Sequence, residues 1–447
     1  MGLLARLGGL TASGKARVAV AWSLYDFANT IFSFAVVSSA IGLWLVSDSR
    51  FGERDGNFVL SVAVVVSVGL NALVSPILGA LSDRGGRRLP FLLFFTALCI
   101  VPTILIGGSS PLVGVLLFIV ANFAYQAALI YYDSTLRTVS RPETRGRLSG
   151  IGVAIGYGGT IFAGVVLLAL GVKVEDRFFV AGVLFALFAV PIFVFVRESG
   201  PIGRVTWGDV VGSLAQLRTS VEHAREVPGL LRFLVGRFFY SDAVNTIIVV
   251  MSVVTTRAKG LTDSQALIVL LSLTVAAILA SFGWGVLVDR LGPRRTLMIV
   301  LSSWAVGLVL GAISLSVSGP LGLALFLIAG AILGSGLGGV QVADRVLMVR
   351  LSPPERVGEF FGLYGLVGKG SQVVGQLLYG VTLLLFFDSL GVGAYQLAVV
   401  TLLGTMLLGA WILRPVSDRW QGSGDLDVAI HAPPERLAPM TAPLEPR

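Results

Sequence analysis

Apolar stretches of about twenty residues recur along this 447-residue chain, separated by short polar breaks. About 20 apolar residues cross a bilayer as a helix, and the pattern predicts twelve such spans. In the first half they cover roughly 18–46, 57–82, 89–107, 111–138, 148–171 and 177–197. In the second half they cover roughly 230–256, 265–289, 296–316, 320–349, 357–387 and 391–414. The third and ninth are short. Between the halves, Trp207, Val210, Val211, Leu214, Leu217 and Val221 recur at helical spacing, with Asp209, Arg218, Glu222 and Arg225 between them. That pattern fits an amphipathic helix, either lying on the membrane surface or packed on the bundle. The tail after Pro415 is rich in Pro, Ala and Gly and is expected to be disordered. The expected architecture is an all-α polytopic membrane protein. It comprises a six-helix bundle at 1–197, a linker at 198–229, a second six-helix bundle at 230–414 and a tail at 415–447.

Composition agrees with this picture. The chain is 55% hydrophobic and only 13% charged, whereas soluble domains carry about 25% charged residues. The 55 glycines suit close helix packing in lipid. A net charge of +8 raises the question of nucleic-acid binding. The charge falls in short clusters between apolar runs rather than on one basic face, so no nucleic-acid partner is expected. Cys99 is the single cysteine, and His223 and His431 lie outside the spans. No disulfide, metal site or cofactor is expected, and no enzyme activity. The N-terminus has no separate short signal-peptide core.

Arginines mark alternate loops. Arg84, Arg87 and Arg88 follow span 2, and Arg137, Arg141, Arg145 and Arg147 follow span 4. Arg290, Arg294 and Arg295 follow span 8, and Arg350 and Arg356 follow span 10. The positive-inside rule then puts both termini in the cytoplasm. Arg50, Arg54, Lys173, Arg177, Arg257 and Lys259 are exceptions. The lack of an organelle-targeting peptide favours a bacterial inner membrane, and a monomer in the lipid bilayer is expected.

Three stretches repeat in order, each near 210 residues apart. Tyr25-Asp26-Phe27-Ala28-Asn29-Thr30 is matched by Tyr240-Ser241-Asp242-Ala243-Val244-Asn245-Thr246. The loop from Gly79 through Asp83, Arg84, Gly86, Arg87 and Arg88 is matched by Gly285, Asp289, Arg290, Gly292 and Arg294. Ser140-Arg141-Pro142-Glu143 is matched by Ser352-Pro353-Pro354-Glu355. Two equally oriented halves, related by an axis along the membrane normal, follow from this.

The loop between spans 2 and 3 resembles the signature of the major facilitator superfamily. Trp22-Ser23-Leu24-Tyr25-Asp26-Phe27-Ala28-Asn29 and the span-7 motif are similar to the UMF1/Atg22-like branch. Fungal members of that branch are vacuolar amino-acid effluxers. The resemblance implies that the loop residues just named lock the helices of one half together in the outward-facing state. Span 5 departs from the antiporter pattern: it has Gly152, Gly156, Gly158 and Gly159 but no proline.

A carboxylate in hydrocarbon is costly and usually functional. At about 1.5 Å of rise per residue, Asp26 and Asp242 fall roughly 13–15 Å past Arg17 and Arg232, near the midplane. Each shares a helix face with its Asn-Thr pair. Each half is thus expected to offer an acid, an amide and a hydroxyl to a common cavity, or else to tie span 1 to its neighbours. Lys369 in span 11 falls at similar depth, with Asp26 as first candidate partner and Asp133 as second. Arg237 could bind a substrate carboxylate or snorkel to the interface. Asp133 and Arg137 are spaced for an i,i+4 ion pair, and Asp344 and Arg345 occupy the matching point of span 10. A gate or packing contact, or a proton carrier at Asp133, is expected there. Tyr125, Gln126, Tyr131 and Tyr132 read as an interfacial belt at the end of span 4.

The expected function is alternating-access transport of a small polar solute, such as an amino acid, with one buried acid possible as a proton carrier. An exporter of an amphiphilic drug, sugar or lipid is the alternative. A membrane enzyme or sensor is remote, because the chain offers no nucleotide loop and no nucleophile with a histidine base.

Overall fold

A computed structural model describes residues 13–84, 87–139, 145–198, 218–353 and 356–417, and their regular elements are all helices. The spans of the first half are built on Ser13–Phe32, Gly52–Arg84, Leu89–Ile106, Pro111–Val139, Arg145–Ala169 and Val174–Phe195. Those of the second half are built on Leu230–Val253, Asp263–Leu291, Pro293–Ser316, Gly319–Leu351, Val357–Leu390 and Gly393–Leu413. Spans 3 and 9, short in the sequence, are complete helices. Eleven spans among the described residues are long and apolar enough to cross a bilayer, and span 5 contributes the shorter apolar stretch Ile155–Ala169. Of the linker, 218–226 is helical, with Arg218 and Glu222 paired at 3.1 Å on its surface. Most of the amphipathic pattern, and the tail from 418, lie outside the described residues.

Spans 1 and 7, the first helix of each half, are central. Their apolar windows are 83% and 78% buried, against 29–50% for the other spans, which face lipid. Their mean hydropathy, 1.6 each, is the lowest of the eleven spans, as suits helices that meet protein rather than lipid. Span 1 packs on spans 5 and 6, and span 7 on spans 11 and 12, so the repeat in sequence is a repeat in packing.

Glycine makes these contacts close. A Cβ on Gly152 would lie 2.6 Å from the Trp22 ring, and one on Gly156 would lie 2.5 Å from the Asp26 carboxylate. Any side chain on Gly159 would collide with the Phe27 carbonyl. The same device recurs in the second half, where a Cβ on Gly375 would lie 2.9 Å from Asp242 Cβ. Each repeated acid therefore sits against a glycine of the fifth helix of its own half.

The two central helices are not regular throughout. Span 1 loosens into π-helix at Ser33–Ser38 before a short helix at Ile41–Leu45, and span 7 does so at Val254–Ala258. Hydroxyls enter the backbone ladder at both places: Ser38 donates to the Ser33 carbonyl, and Thr255 to that of Met251. Such insertion is a recognised cause of helix irregularity.

Three of the exceptional cations, Arg50, Lys259 and Arg177, have backbone partners on the face opposite the arginine-rich loops. Arg50 donates to the Ser109 carbonyl past the end of span 3 at 2.7 Å, and its guanidinium stacks on Trp44. Lys259, at the matching point of the second half, donates to the Ser314 and Val317 carbonyls at the end of span 9. Arg177, almost fully buried, donates to the Ser39 carbonyl where span 1 breaks. These charges satisfy the orphan carbonyls of helix C-termini, where a cation is favoured.

Candidate functional site

The two halves meet along spans 2 and 11, which run antiparallel. At the face opposite the arginine-rich loops, Asn57 of span 2 is completely buried between two tyrosines of the other half. It accepts from the Tyr379 hydroxyl at 3.0 Å and donates to Tyr395 Oη at 3.0 Å. Tyr395 in turn donates to the Glu53 carboxylate at 2.8 Å. Arg54 bridges to Asp388 at 3.1 Å and donates to the Leu384 carbonyl. Arg177 and Asp263 face each other at 4.0 Å across the halves. Span 1 touches span 7 here as well, with a Cβ on Gly42 placed 2.7 Å from Val253. This end is sealed by a satisfied polar network.

Deeper along the same seam, Lys369 of span 11 reaches span 2. Its ammonium donates to Asn71 Oδ1 at 2.5 Å and to Ser75 Oγ at 2.8 Å. The pairing of Lys369 with Asp26, or next with Asp133, expected from the sequence is not what the structure contains. Asp133 lies within electrostatic reach of Lys369 and Arg345, but no ion pair closes to either among the described residues. Asp133 and Arg345 are both exposed, each six residues from the arginine-rich end of its helix. Tyr157 of span 5 donates to Gln341 of span 10 at 3.2 Å, again across the halves. Asp26 is partly exposed and within electrostatic reach of Asp133. The result is a polar crevice with a division of charge: Asp26 and Asp133 come from the first half, and Lys369 and Arg345 from the second.

Other expected site residues point elsewhere. Asp242 is 1% exposed and receives a hydrogen bond from Thr405 at 2.8 Å, inside the second half. Thr246 is fully buried near Gly375, while Asn245 is half-buried. The matched acid motifs therefore do not open symmetrically into one cavity. Asp242 instead faces its own spans 11 and 12, because Gly375 lets span 11 press against it. In the first half, Thr30 donates to the Gly156 carbonyl at 2.5 Å and Asn29 is buried. Tyr25 is buried too, bonded to Thr96 at 2.6 Å and stacked on Tyr132.

Arg237 neither snorkels nor faces the crevice. Its guanidinium pairs with Asp344 at 3.0 Å and lies 3.6 Å from the centre of the Tyr364 ring. Tyr240 and Tyr364 face the same carboxylate. The neighbouring Asp344 and Arg345 thus separate, one into the interior and one into the crevice. The expected aromatic belt on span 4 is also interior: Tyr131 stacks on Phe91 and Phe95, and Tyr132 on Trp22.

At the arginine-rich face, the side chains of Gly79, Asp83, Arg84, Gly86 and Arg137 lie outside the described residues. Arg87 is exposed. Arg88 donates from its guanidinium to the Ser134 carbonyl, and the amides of Arg88 and Leu89 donate to the Glu198 carboxylate at 2.5 and 2.8 Å. Glu198 thereby caps span 3, as an acid at a helix N-terminus should. In the second loop, Asp289 and Arg290 are exposed, Gly285 has open space around it, and Gly292 adopts φ +86°. Arg294 reaches the Arg414 carbonyl at the end of span 12.

A family model described as vacuole effluxer Atg22-like matches residues 51–415. The chain belongs to the Atg22-like branch of the major facilitator superfamily. This Atg22-like chain is 26% identical over 424 residues to an uncharacterized MFS-type transporter, YxiO, of Bacillus subtilis, covering 91% of this chain and 97% of that one. Autophagy-related protein 22 of Coccidioides immitis is 24% identical over 260 residues, 52% of this chain and 43% of the fungal one. Among solved structures, a point mutant of the nucleoside transporter NupG superposes with TM-score 0.71 at 13% identity, covering 89% of this chain and 98% of that one. A D-xylose-proton symporter gives TM-score 0.68 at 13% identity, covering 91% and 98%. At such identities these structures establish the transporter fold and nothing finer.

Proposed function

We propose that this Atg22-like protein is a secondary transporter that exports a small zwitterion, an amino acid or similar solute, by alternating access. The observation that carries this reading is Lys369, an ammonium held among the described residues by neutral oxygens alone and within electrostatic reach of Asp133. A zwitterion fits such a crevice: its ammonium toward Asp133 and Asp26 on one side, its carboxylate toward Lys369 and Arg345 on the other. The halves rock about this point, and the network at Asn57 and Tyr395 closes the far side while cargo enters from the arginine-rich, cytoplasmic face. The protein acts as a monomer in a bacterial inner membrane with both termini in the cytoplasm.

The test is amino-acid exchange in proteoliposomes. Lys369→Met and Asp133→Asn are expected to lower exchange at least tenfold while the thermal unfolding profile stays that of the wild type. Wild-type exchange in Lys369→Met would remove the lysine from cargo recognition.

Proton coupling belongs to the same proposal, with Asp242 as carrier. The Thr405 hydroxyl has one hydrogen but two acceptors in range, the Leu402 carbonyl at 2.9 Å and Asp242 Oδ1 at 2.8 Å. A proton on Asp242 resolves the competition, because the carboxyl then donates to Thr405 and Thr405 to Leu402. Asp242→Asn, whose amide makes the same donation, is expected to keep exchange and lose accumulation driven by a pH gradient. Full pH-driven accumulation in that variant would exclude this acid as the carrier.

A second reading, an amphiphilic cargo, draws on an apolar groove along span 8 lined by Ile268, Leu271, Ser272, Val275, Ala276 and Leu279. Under that reading Lys369→Met is neutral and a polar residue at Leu271 is harmful.

A further inference from the structure

The lysine just described has a prepared seat. Asn71 is fully buried in span 2, and its amide nitrogen points at the Phe123 carbonyl of span 4 at 3.5 Å. That leaves its oxygen directed at Lys369. Ser75 donates its only hydrogen to the Asn71 carbonyl at 2.5 Å, so toward Lys369 it acts as an acceptor. Both groups therefore present lone pairs to the ammonium.

The place of this contact along the seam matters. From the sealed face inward, Arg54 meets Leu384 and Asp388, Asn57 meets Tyr379, and Ser61 meets Gly380. Gly69 then meets Val373, and Lys369 on Asn71 and Ser75 comes last. It is the innermost polar stitch between spans 2 and 11 among the described residues, and it lies beside the crevice. Its acceptors are neutral. Its bonds to them lack the attraction between two full charges that a carboxylate or other anion would add, so an anionic group entering the crevice competes well for this lysine.

We propose that Asn71 and Ser75 are positioning residues that park Lys369 across the halves when the crevice is empty and yield it to the anionic group of the cargo. Parking fastens span 2 to span 11 and keeps the far face shut. Loading unfastens the innermost stitch and favours opening of the seam. Cargo thereby licenses the conformational change, and the empty carrier is kept from cycling. The release step rests on the zwitterion reading above, whereas the parking itself does not.

The experiment reads the seam directly. Ser252, buried at the far end of span 7 near Gly42, becomes a reporter as Ser252→Cys in a Cys99→Ala background, and its alkylation by a maleimide is timed in purified protein. Without cargo, Asn71→Leu and Lys369→Met are each expected to speed alkylation about tenfold. The double variant should match the singles, because both remove one contact. Ser75→Ala, a milder change, should move the rate in the same direction. Unchanged alkylation in Asn71→Leu and Ser75→Ala, or independent effects of Asn71→Leu and Lys369→Met, overturns the parking role even if amino acids are transported. In the otherwise wild-type reporter, a mixture of the twenty amino acids should speed alkylation. A coupled pair of variants with no response to that mixture overturns the release step and leaves the parking standing.

Discussion

Asn57→Leu is expected to unseat the closed far face and shift the closed–open equilibrium toward opening on that side by roughly 150-fold. Asn57 exchanges hydrogen bonds with both Tyr379 and Tyr395 from a site with no exposure. Each such bond contributes about 1 kcal/mol net, and a buried hydroxyl left without its partner costs a further 1–3 kcal/mol. When the seam is open these groups meet water, so the loss falls on the closed state alone. A total near 3 kcal/mol corresponds to roughly a 150-fold shift in a two-state equilibrium. The alkylation rate of Ser252→Cys measures it, and the rise should exceed that of Asn71→Leu. Transport should fall, because a carrier held open on one side cannot return. An unchanged alkylation rate would mean that the far face is closed by apolar packing and that the Asn57 network is incidental.

Arg237→Met is expected to be the most destabilising single change in the second half. The Arg237–Asp344 pair joins spans 7 and 10, with both side chains largely buried. Removing one partner of a buried pair typically costs about 3–5 kcal/mol, because it strands the other charge. The double variant Arg237→Met/Asp344→Asn should recover most of the loss, since it neutralises the carboxylate that the single change strands. Thermal unfolding in detergent, followed by tryptophan fluorescence, distinguishes the three proteins. Equal unfolding temperatures for Arg237→Met and the wild type would return Arg237 to the list of candidate cargo ligands.

Much of the architecture was legible in the chain. Hydrophobic run length located the spans to within a few residues, because a bilayer imposes a minimum length that water does not. The repeats announced two equivalent halves. Loop arginines marked one face, and the exceptions at Arg50 and Lys259 proved to cap helix ends. The site was legible only in part. Depth arithmetic assigns Lys369 and Asp26 a common level, but depth fixes neither the direction of a side chain nor its partner across the halves. Asp242 was read as the twin of Asp26, yet the packing of Gly375 and Thr405 encloses it. Asn71, Ser75, Tyr157 and Gln341 were missed, since single neutral polar residues in apolar helices resemble the serines that merely bond their own backbone. Helical phase supplies the one signal that could have found Asn57, Asn71 and Ser75. The three fall at i, i+14 and i+18 on one face of span 2.

The glycine contacts that bolt Trp22 and Asp26 to span 5, and Asp242 to span 11, leave little freedom inside either half. Motion is thereby confined to the boundary between them. A pair of spectroscopic labels within residues 17–195 should report one fixed distance through every stage of turnover, and a pair straddling spans 2 and 11 should report the whole cycle.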